Sequence, residues 1–333
     1  MEGRELTVLF WNGRTVRAVY AGMRFAVVAC GVLVSSLGAT ACMVSVDSQA
    51  LIEREEKRFT VNGAPLVNLT TFDGGIEVRS WDRPEVLIEI EKRGGTKEAV
   101  DGLIVETRQD GNRVTVDVKR PKAESFTGFG LNHAASARLV VSVPDKTDVV
   151  ARSGDGAIRI ERVSGRLDLG TSDGSIRASD VSGELTLHTS DGSVHVDNAA
   201  GTLDVDTGDG SVEVSGDLSA VKLHTGDGSI VYRASASTGM TDDWSFTTGD
   251  GSVTVYLPQD FSAELDARTS DGGIRNDLRL GPVRAEADGT DPAAERRQDS
   301  DESSRRALRA RLGNGGKVLK IRTGDGSIRL RAS

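Results

Sequence analysis

The sequence predicts an all-β fold, a parallel β-helix or β-solenoid built from 18-residue strand-turn-strand repeats with less regular capping strands at both ends. Three observations predict it. A twelve-residue pattern centred on Asp-Gly recurs nine times, apolar and polar residues alternate within every copy, and identical residues fall at identical offsets from copy to copy. Alternation at period two means strands with one buried and one wet face. Like residues at like offsets suit a parallel ladder, in which each coil stacks on the next.

The composition is compatible with a repeat protein. The chain of 333 residues carries a formal net charge of −9, 39 glycines, 37% hydrophobic residues and 4% aromatics, which favours a thin core of small and β-branched side chains. An acidic balance argues against nucleic acid as a partner, because phosphates are neutralised by clustered Lys and Arg. The two cysteines, Cys30 and Cys42, both precede the repeats, so no disulfide framework can hold the body.

Residues 1–42 read as an export signal. Arg24 supplies a basic start, Phe25 to Gly38 an apolar run, and Ala39, Thr40 and Ala41 a small-residue cleavage site. The run is too short for a membrane span. Met23 is the expected true start, since the signal is complete from there. Cys42 follows the cleavage site and resembles a lipobox cysteine, although Ala39 stands where Leu is usual. The expectation is an acylated Cys42 that ties an exported lipoprotein to a lipid bilayer in the bacterial cell envelope, with residues 43–58 as tether.

Residues 59–150 alternate in longer runs, such as "IEVRSW" and "NRVTVDVKRP", and are expected to form a β-rich cap and the first coils. Residues 151–280 hold the regular repeats. With the motif aspartate as position zero, the copies are marked by Asp155, Asp173, Asp191, Asp209, Asp227, Asp250 and Asp271, with Asp325 beyond and Asp73 before them. Apolar residues stand at −6, −4, +3 and +5, as Leu203, Val205, Val212 and Val214 illustrate, and position −2 is Thr or Ser throughout. A second turn near +9, seen at Val181, Ser182 and Gly183, closes the unit. Residues 281–316 read as a polar loop insert with a short helix around 303–312, and residues 317–333 as a C-terminal closing coil.

The entry "FTVNGAPLVNLTTFDGGIEVRSWDRPEV", the tandem "TGDGSI" copies and the ending "LGNGGKVLKIRTGDGSIRLR" resemble the bacterial putative-adhesin family of β-strand-repeat proteins, domain of unknown function 4097, over Phe59 to Ala332. The resemblance implies an exported or membrane-tethered envelope protein with a β-solenoid body and no shared catalytic residues. The polar insert has no counterpart in that pattern.

The aspartates invite three readings. Catalytic carboxylates break a repeat, whereas all nine here obey it, and the chain lacks HExxH, CxxC and G-x-S-x-G. A calcium-binding β-roll uses Gly-Gly-x-Gly-x-Asp nonapeptides, and that lead is missing, so one aspartate per coil leaves most of the six to eight oxygens of a calcium site to be found elsewhere. The remaining reading is structural: Asp accepts backbone N–H bonds in an Asx-turn while Gly takes positive φ. On this reading Asp155, Asp173, Asp191, Asp209, Asp227, Asp250, Asp271 and Asp325 are turn positions that form at most a weak cation ladder. His133, His188, His195 and His224 are expected on the solvated surface, His188 and His224 sharing offset −3. No metal or other cofactor is called for. The expected function is non-catalytic, the polar strand faces binding a glycan or an envelope protein; a periplasmic stress or signalling accessory is the alternative, and a calcium β-roll or polysaccharide-active enzyme the third reading.

Overall fold

The alternating segments fold as strands in a computed structural model that describes residues 51–120, 135–281 and 306–333. The N-terminal part comprises β1 (Leu51–Thr60), β2 (Leu66–Thr71), β3 (Ile76–Trp81), β4 (Glu85–Gly94), the short helix α1 (Lys97–Asp101), β5 (Ile104–Asp110), β6 (Arg113–Lys119) and β7 (Ser136–Pro144). The central part comprises β8 (Asp148–Ser153), β9 (Ile158–Glu161), β10 (Ser164–Thr171), β11 (Ile176–Ser179), β12 (Ser182–Thr189), β13 (Val194–Thr207), β14 (Val212–Thr225) and β15 (Ile230–Ala234). The C-terminal part comprises β16 (Trp244–Thr248), β17 (Val253–Leu257), β18 (Ala263–Thr269), β19 (Ile274–Asn276), β20 (Ala307–Leu312), β21 (Val318–Thr323) and β22 (Ile328–Ala332). No helix among the described residues is long and apolar enough to cross a membrane. The expected export signal, with Met23 and Cys42, and His133 lie outside the described residues.

Two parallel ladders meet at the Asp-Gly corner, and the architecture is all-β and solenoid-like. The first ladder holds the strands that precede each corner: β6, β2, β8, β10, β12, the second halves of β13 and β14, then β16, β21 and β18. The second holds the strands that follow it: β7, β3, β9, β11, the first halves of β13 and β14, then β15, β17, β22 and β19. Pairing joins like to like. Leu167, Leu185 and Leu203 are mutual neighbours, as are Ile158, Ile176, Val194 and Val212. All seven are buried, each contributing on the order of 1.5–3 kcal/mol. One coil has only its own few such residues, so it gains this burial by stacking.

The core thickens at one place. From Asp227 to Asp250 the spacing widens to twenty-three residues, and Tyr232, Trp244 and Phe246 fill the coil, with Tyr232 and Trp244 edge-on at 5.2 Å. The Trp244 indole N–H donates to the Ser219 carbonyl at 3.2 Å.

Stacking order departs from chain order at both ends. Strands β2 and β3 lie between β6–β7 and β8–β9, and β21 and β22 lie between β16–β17 and β18–β19. Residues 317–333 therefore form an interior coil and do not close the stack. The long interval between Asp271 and Asp325 gives the chain the reach to return past β18 and β19. Within it, residues 307–312 form β20, antiparallel on β18, with Ala310 and Leu312 buried, where a helix and polar loop were expected. The helix-forming residues of "ALRARL" also alternate, and the unpaired edge of β18 outweighs their propensity. The expected tether is likewise shorter, because residues 51–58 belong to β1, paired antiparallel with β4. At the N-terminal end β4 and β5 run antiparallel on β7 and β6.

Candidate functional site

The corner is held by the threonine at −2. Thr71, Thr171, Thr189, Thr207, Thr225, Thr248, Thr269, Thr323 and Ser153 are all buried at this offset. The Thr189 hydroxyl donates toward the carbonyls of Gly174 at 3.0 Å and Ser172 at 3.1 Å in the neighbouring coil, and accepts from the Gly192 N–H at 3.2 Å. Thr171, Thr225, Thr248, Thr269 and Thr323 repeat the arrangement, and Ser153 reaches Gly74 and Gly156 in the same way. One hydroxyl thus closes its own turn and fastens it to the next coil.

Glycine at +1 has a different reason from the expected one. Gly74 alone of the nine has positive φ, at 124°. The others are required by close approach: a Cβ on Gly192 would stand 1.9 Å from the Gly174 carbonyl oxygen, and on Gly210 2.0 Å from that of Gly192. Positive φ belongs to the second turn, at Asp180 (54°) and Gly183 (118°) and at Asn198 (51°) and Gly201 (111°).

The aspartates stand in one column along the corner. The backbone N–H groups of Asp173, Asp191, Asp209, Asp227, Asp250, Asp325 and Asp271 each donate to the adjacent coil, which places Asp325 between Asp250 and Asp271. The expected Asx-turn is absent: the carboxylates of Asp155, Asp173, Asp191, Asp209, Asp227, Asp250 and Asp325 are exposed and accept no hydrogen bond from the described residues, because the threonine hydroxyl already takes the turn's N–H. Asp73 faces Arg120 at 3.7 Å and Asp271 faces Arg306 at 3.8 Å. Among the described residues, no group of three or more His, Cys, Asp or Glu is placed to hold a metal ion.

The wet face of the first ladder pairs opposite charges between coils. Arg152 meets Asp168 at 2.7 Å, Arg166 meets Glu184 at 2.6 Å, Lys222 meets Asp204 at 3.0 Å and Arg322 meets Asp266 at 2.7 Å. Exposed pairs of this kind contribute about 0–1 kcal/mol each. Burial would raise the Asp266 carboxyl, but the Arg322 hydrogen bond and the charges of Arg322, Arg268 and Arg309 outweigh it and hold it below the usual range. His188 lies 3.5 Å from Asp206, and His224 is the next residue in that register. On the second ladder His195 touches Asp197 at 2.6 Å and Glu213 at 3.5 Å. These partnerships were legible: Arg166 and Glu184, or Asp204 and Lys222, differ by one repeat.

Two depressions lie on the surface of the described residues. A narrow one of about 60 Å³ at the C-terminal end is lined by Leu257, Phe261, Leu278 and Leu312, and an open one of about 470 Å³ near the N-terminal end by Trp81, Asp82, Arg83, Asp145 and Lys146.

The family model described as Toastrack DUF4097 matches residues 69–331. No curated protein matches the chain. Among solved structures, the chain is similar to a "putative cell adhesion protein" from Clostridium sporogenes at 13% identity, covering 85% of this chain and 100% of that one with a TM-score of 0.29. A "putative adhesin" from Bacteroides fragilis matches at 10% identity, 84% and 97% coverage and a TM-score of 0.40. A "putative lipid binding protein" from Parabacteroides distasonis matches at 11% identity, 83% and 96% coverage and a TM-score of 0.38.

Proposed function

The chain belongs to the Toastrack DUF4097 family, and from that premise we propose that it is a non-catalytic, exported envelope protein whose eighteen-residue β-solenoid units display polar side chains to a glycan or a protein partner. The observation that carries this reading is the pair of wet ladders. Side chains such as Asp168, Thr186, Asp204 and Lys222 follow one another at the strand spacing of about 4.8 Å on backbone fastened by buried hydroxyls. Such a surface is pre-organised, so little ordering cost opposes association. Repetition also argues against catalysis, which needs one differentiated place, whereas the corner chemistry recurs along the column. An acylated Cys42 would tether this body to the membrane; one chain gives weak, reversible anchoring, and a second acyl group makes it stable.

The test is protease treatment of intact cells carrying the full chain, beside a Cys42→Ser variant. Cleavage of the wild type on intact cells and release of the variant into the soluble fraction are expected. Protection of the chain until the outer layer is opened would favour a periplasmic accessory instead.

A further inference from the structure

The two wet faces differ in how their charges are balanced. On the first ladder charges are compensated between coils: Asp204 stands beside Lys222, and the in-register arginines Arg268 and Arg322 share the carboxylate of Asp266. On the second ladder, at its C-terminal end, arginine stands beside arginine: Arg275 pairs in register with Arg329, and Arg331 lies two residues along from Arg329 on the same face. Arg275, Arg329 and Arg331 make no ion pair with the described residues. Arg331 and Arg233 instead flank the Tyr256 ring, at 5.9 and 5.0 Å, and Arg233 alone is paired, to Glu213 at 2.6 Å. Glu213 is taken up by Arg233, and Asp277, two residues along from Arg275 on the same face, makes no ion pair with the described residues. Beside the arginines runs a row of hydroxyls, Ser229, Ser252 and Ser327, of which the last two are 3.2 Å apart. Like charges one strand apart repel, by about 0.9 kcal/mol even in water, and an anion bound between them reverses that sign.

We propose that this strip binds an acidic polysaccharide, its carboxylates on Arg275, Arg329 and Arg331 and its hydroxyls on the serine row. The site deepens the function proposed above and rests on it. Three observations select the occupant. The local charge is positive in a chain of net charge −9, so the strip is a distinct feature of the surface. The column of Asp227, Asp250, Asp325 and Asp271 runs along the adjoining corner, which repels a broad anionic plane such as a lipid surface but leaves room for a single chain laid along the coils. Single-stranded nucleic acid needs open aromatic platforms, and Tyr256 is already flanked by two guanidinium groups. A second in-register pair, Arg159 and Arg177, stands on the same face five coils away, about 24 Å at the strand spacing. A polymer can reach both places at once and a short oligomer cannot.

The experiment measures binding of the full chain to polygalacturonate, trigalacturonate, neutral dextran, phosphatidylglycerol vesicles and single-stranded DNA across a salt series. Polygalacturonate should bind, weaken as salt rises, and lose about tenfold or more in affinity in the combined variant Arg275→Gln, Arg329→Gln, Arg331→Gln, whose melting temperature should match the wild type. Arg159→Gln with Arg177→Gln should weaken the polymer and leave trigalacturonate unchanged, and Arg166→Gln on the other face should alter neither. Equal binding of dextran, stronger binding of vesicles or DNA, full affinity in the triple variant, or no binding of polygalacturonate would each overturn the proposal. A chain cleaved on intact cells that fails to bind polygalacturonate refutes this site and leaves the proposed function standing; a shielded chain that binds it does the reverse.

Discussion

At the scale of the residue, the recurring motif Thr-x-Asp-Gly divides its labour unequally. Thr189 is buried with its hydroxyl committed on both sides, Gly192 has no space for a side chain, and the Asp191 carboxylate has no partner among the described residues. Losing the hydroxyl in Thr189→Val would strand the Gly192 N–H and a neighbouring carbonyl in a buried place, a cost of about 1–3 kcal/mol. Gly192→Ala should cost more, because its Cβ would stand 1.9 Å from the Gly174 carbonyl oxygen and the parting of two coils would break the ladder on either side. Asp191→Asn, by contrast, should leave stability within about 0.5 kcal/mol, since it removes only an exposed charge in a repulsive column. Urea unfolding of the three variants, with and without calcium or chelator, tests the whole assignment. A large loss in Asp191→Asn, or a melting temperature that climbs steeply with calcium, would show that the column holds a cation.

At the scale of the element, the least expected feature is the coil formed by β21 and β22, which enters the stack out of chain order. Its contact with β18 is reinforced by Arg322, which donates to the Asp266 carbonyl at 2.7 Å and to its carboxylate at 2.7 Å. Arg152 makes the same two contacts with Asp168 near the other end. Because the folded carboxyl of Asp266 lies below its unfolded value of about 3.9, its contribution is complete above that pH and lost as pH falls through the lower, folded value. Thermal melts from pH 7 to pH 2 should therefore show Asp266→Asn less stable than wild type at neutral pH and the two curves converging in acid; parallel curves would remove Asp266 from the acid response. The inward residues, the strand-turn-strand unit and the parallel stacking were legible in the sequence, because period-two alternation and fixed offsets report local geometry directly. Stacking order was not, since the copies at Asp73 and Asp325 present the same apolar offsets as their neighbours and fit any gap in the stack equally well. Nor was β20 legible: "ALRARL" has the composition of a helix, and only the edge of β18 selects the strand. In the corner, the repeat located Thr, Asp and Gly correctly but could not say which of them carried the hydrogen bonds, as that depends on the distance between coils.

At the scale of the whole molecule, a stack of parallel coils has a general weakness at its ends, where an unpaired ladder could recruit another copy. Here each end of the first ladder is covered by an antiparallel strand, β5 on β6 and β20 on β18, and the second ladder continues at its N-terminal end through β4 to β1. Antiparallel strands interrupt the match that a parallel coil would need in order to dock. The outermost, β1, reads "LIEREEKRFT", with six consecutive charged residues from Glu53 to Arg58. Their charges face both sides of the strand, so a second strand laid against its open edge would bring charge against charge, and Leu51 and Ile52, both exposed, sit at one end of it. If this is what keeps the stack finite, replacing Glu53, Glu55 and Lys57 with threonine should leave the β1 and β4 pairing intact, because threonine suits strands, yet allow copies to associate through the edge. Light scattering on size-exclusion chromatography should then show the variant growing with concentration while the wild type keeps one mass over the same range. A variant that stays at the wild-type mass would place the barrier in the antiparallel geometry itself, and replacing β1 altogether would be the step that exposes it.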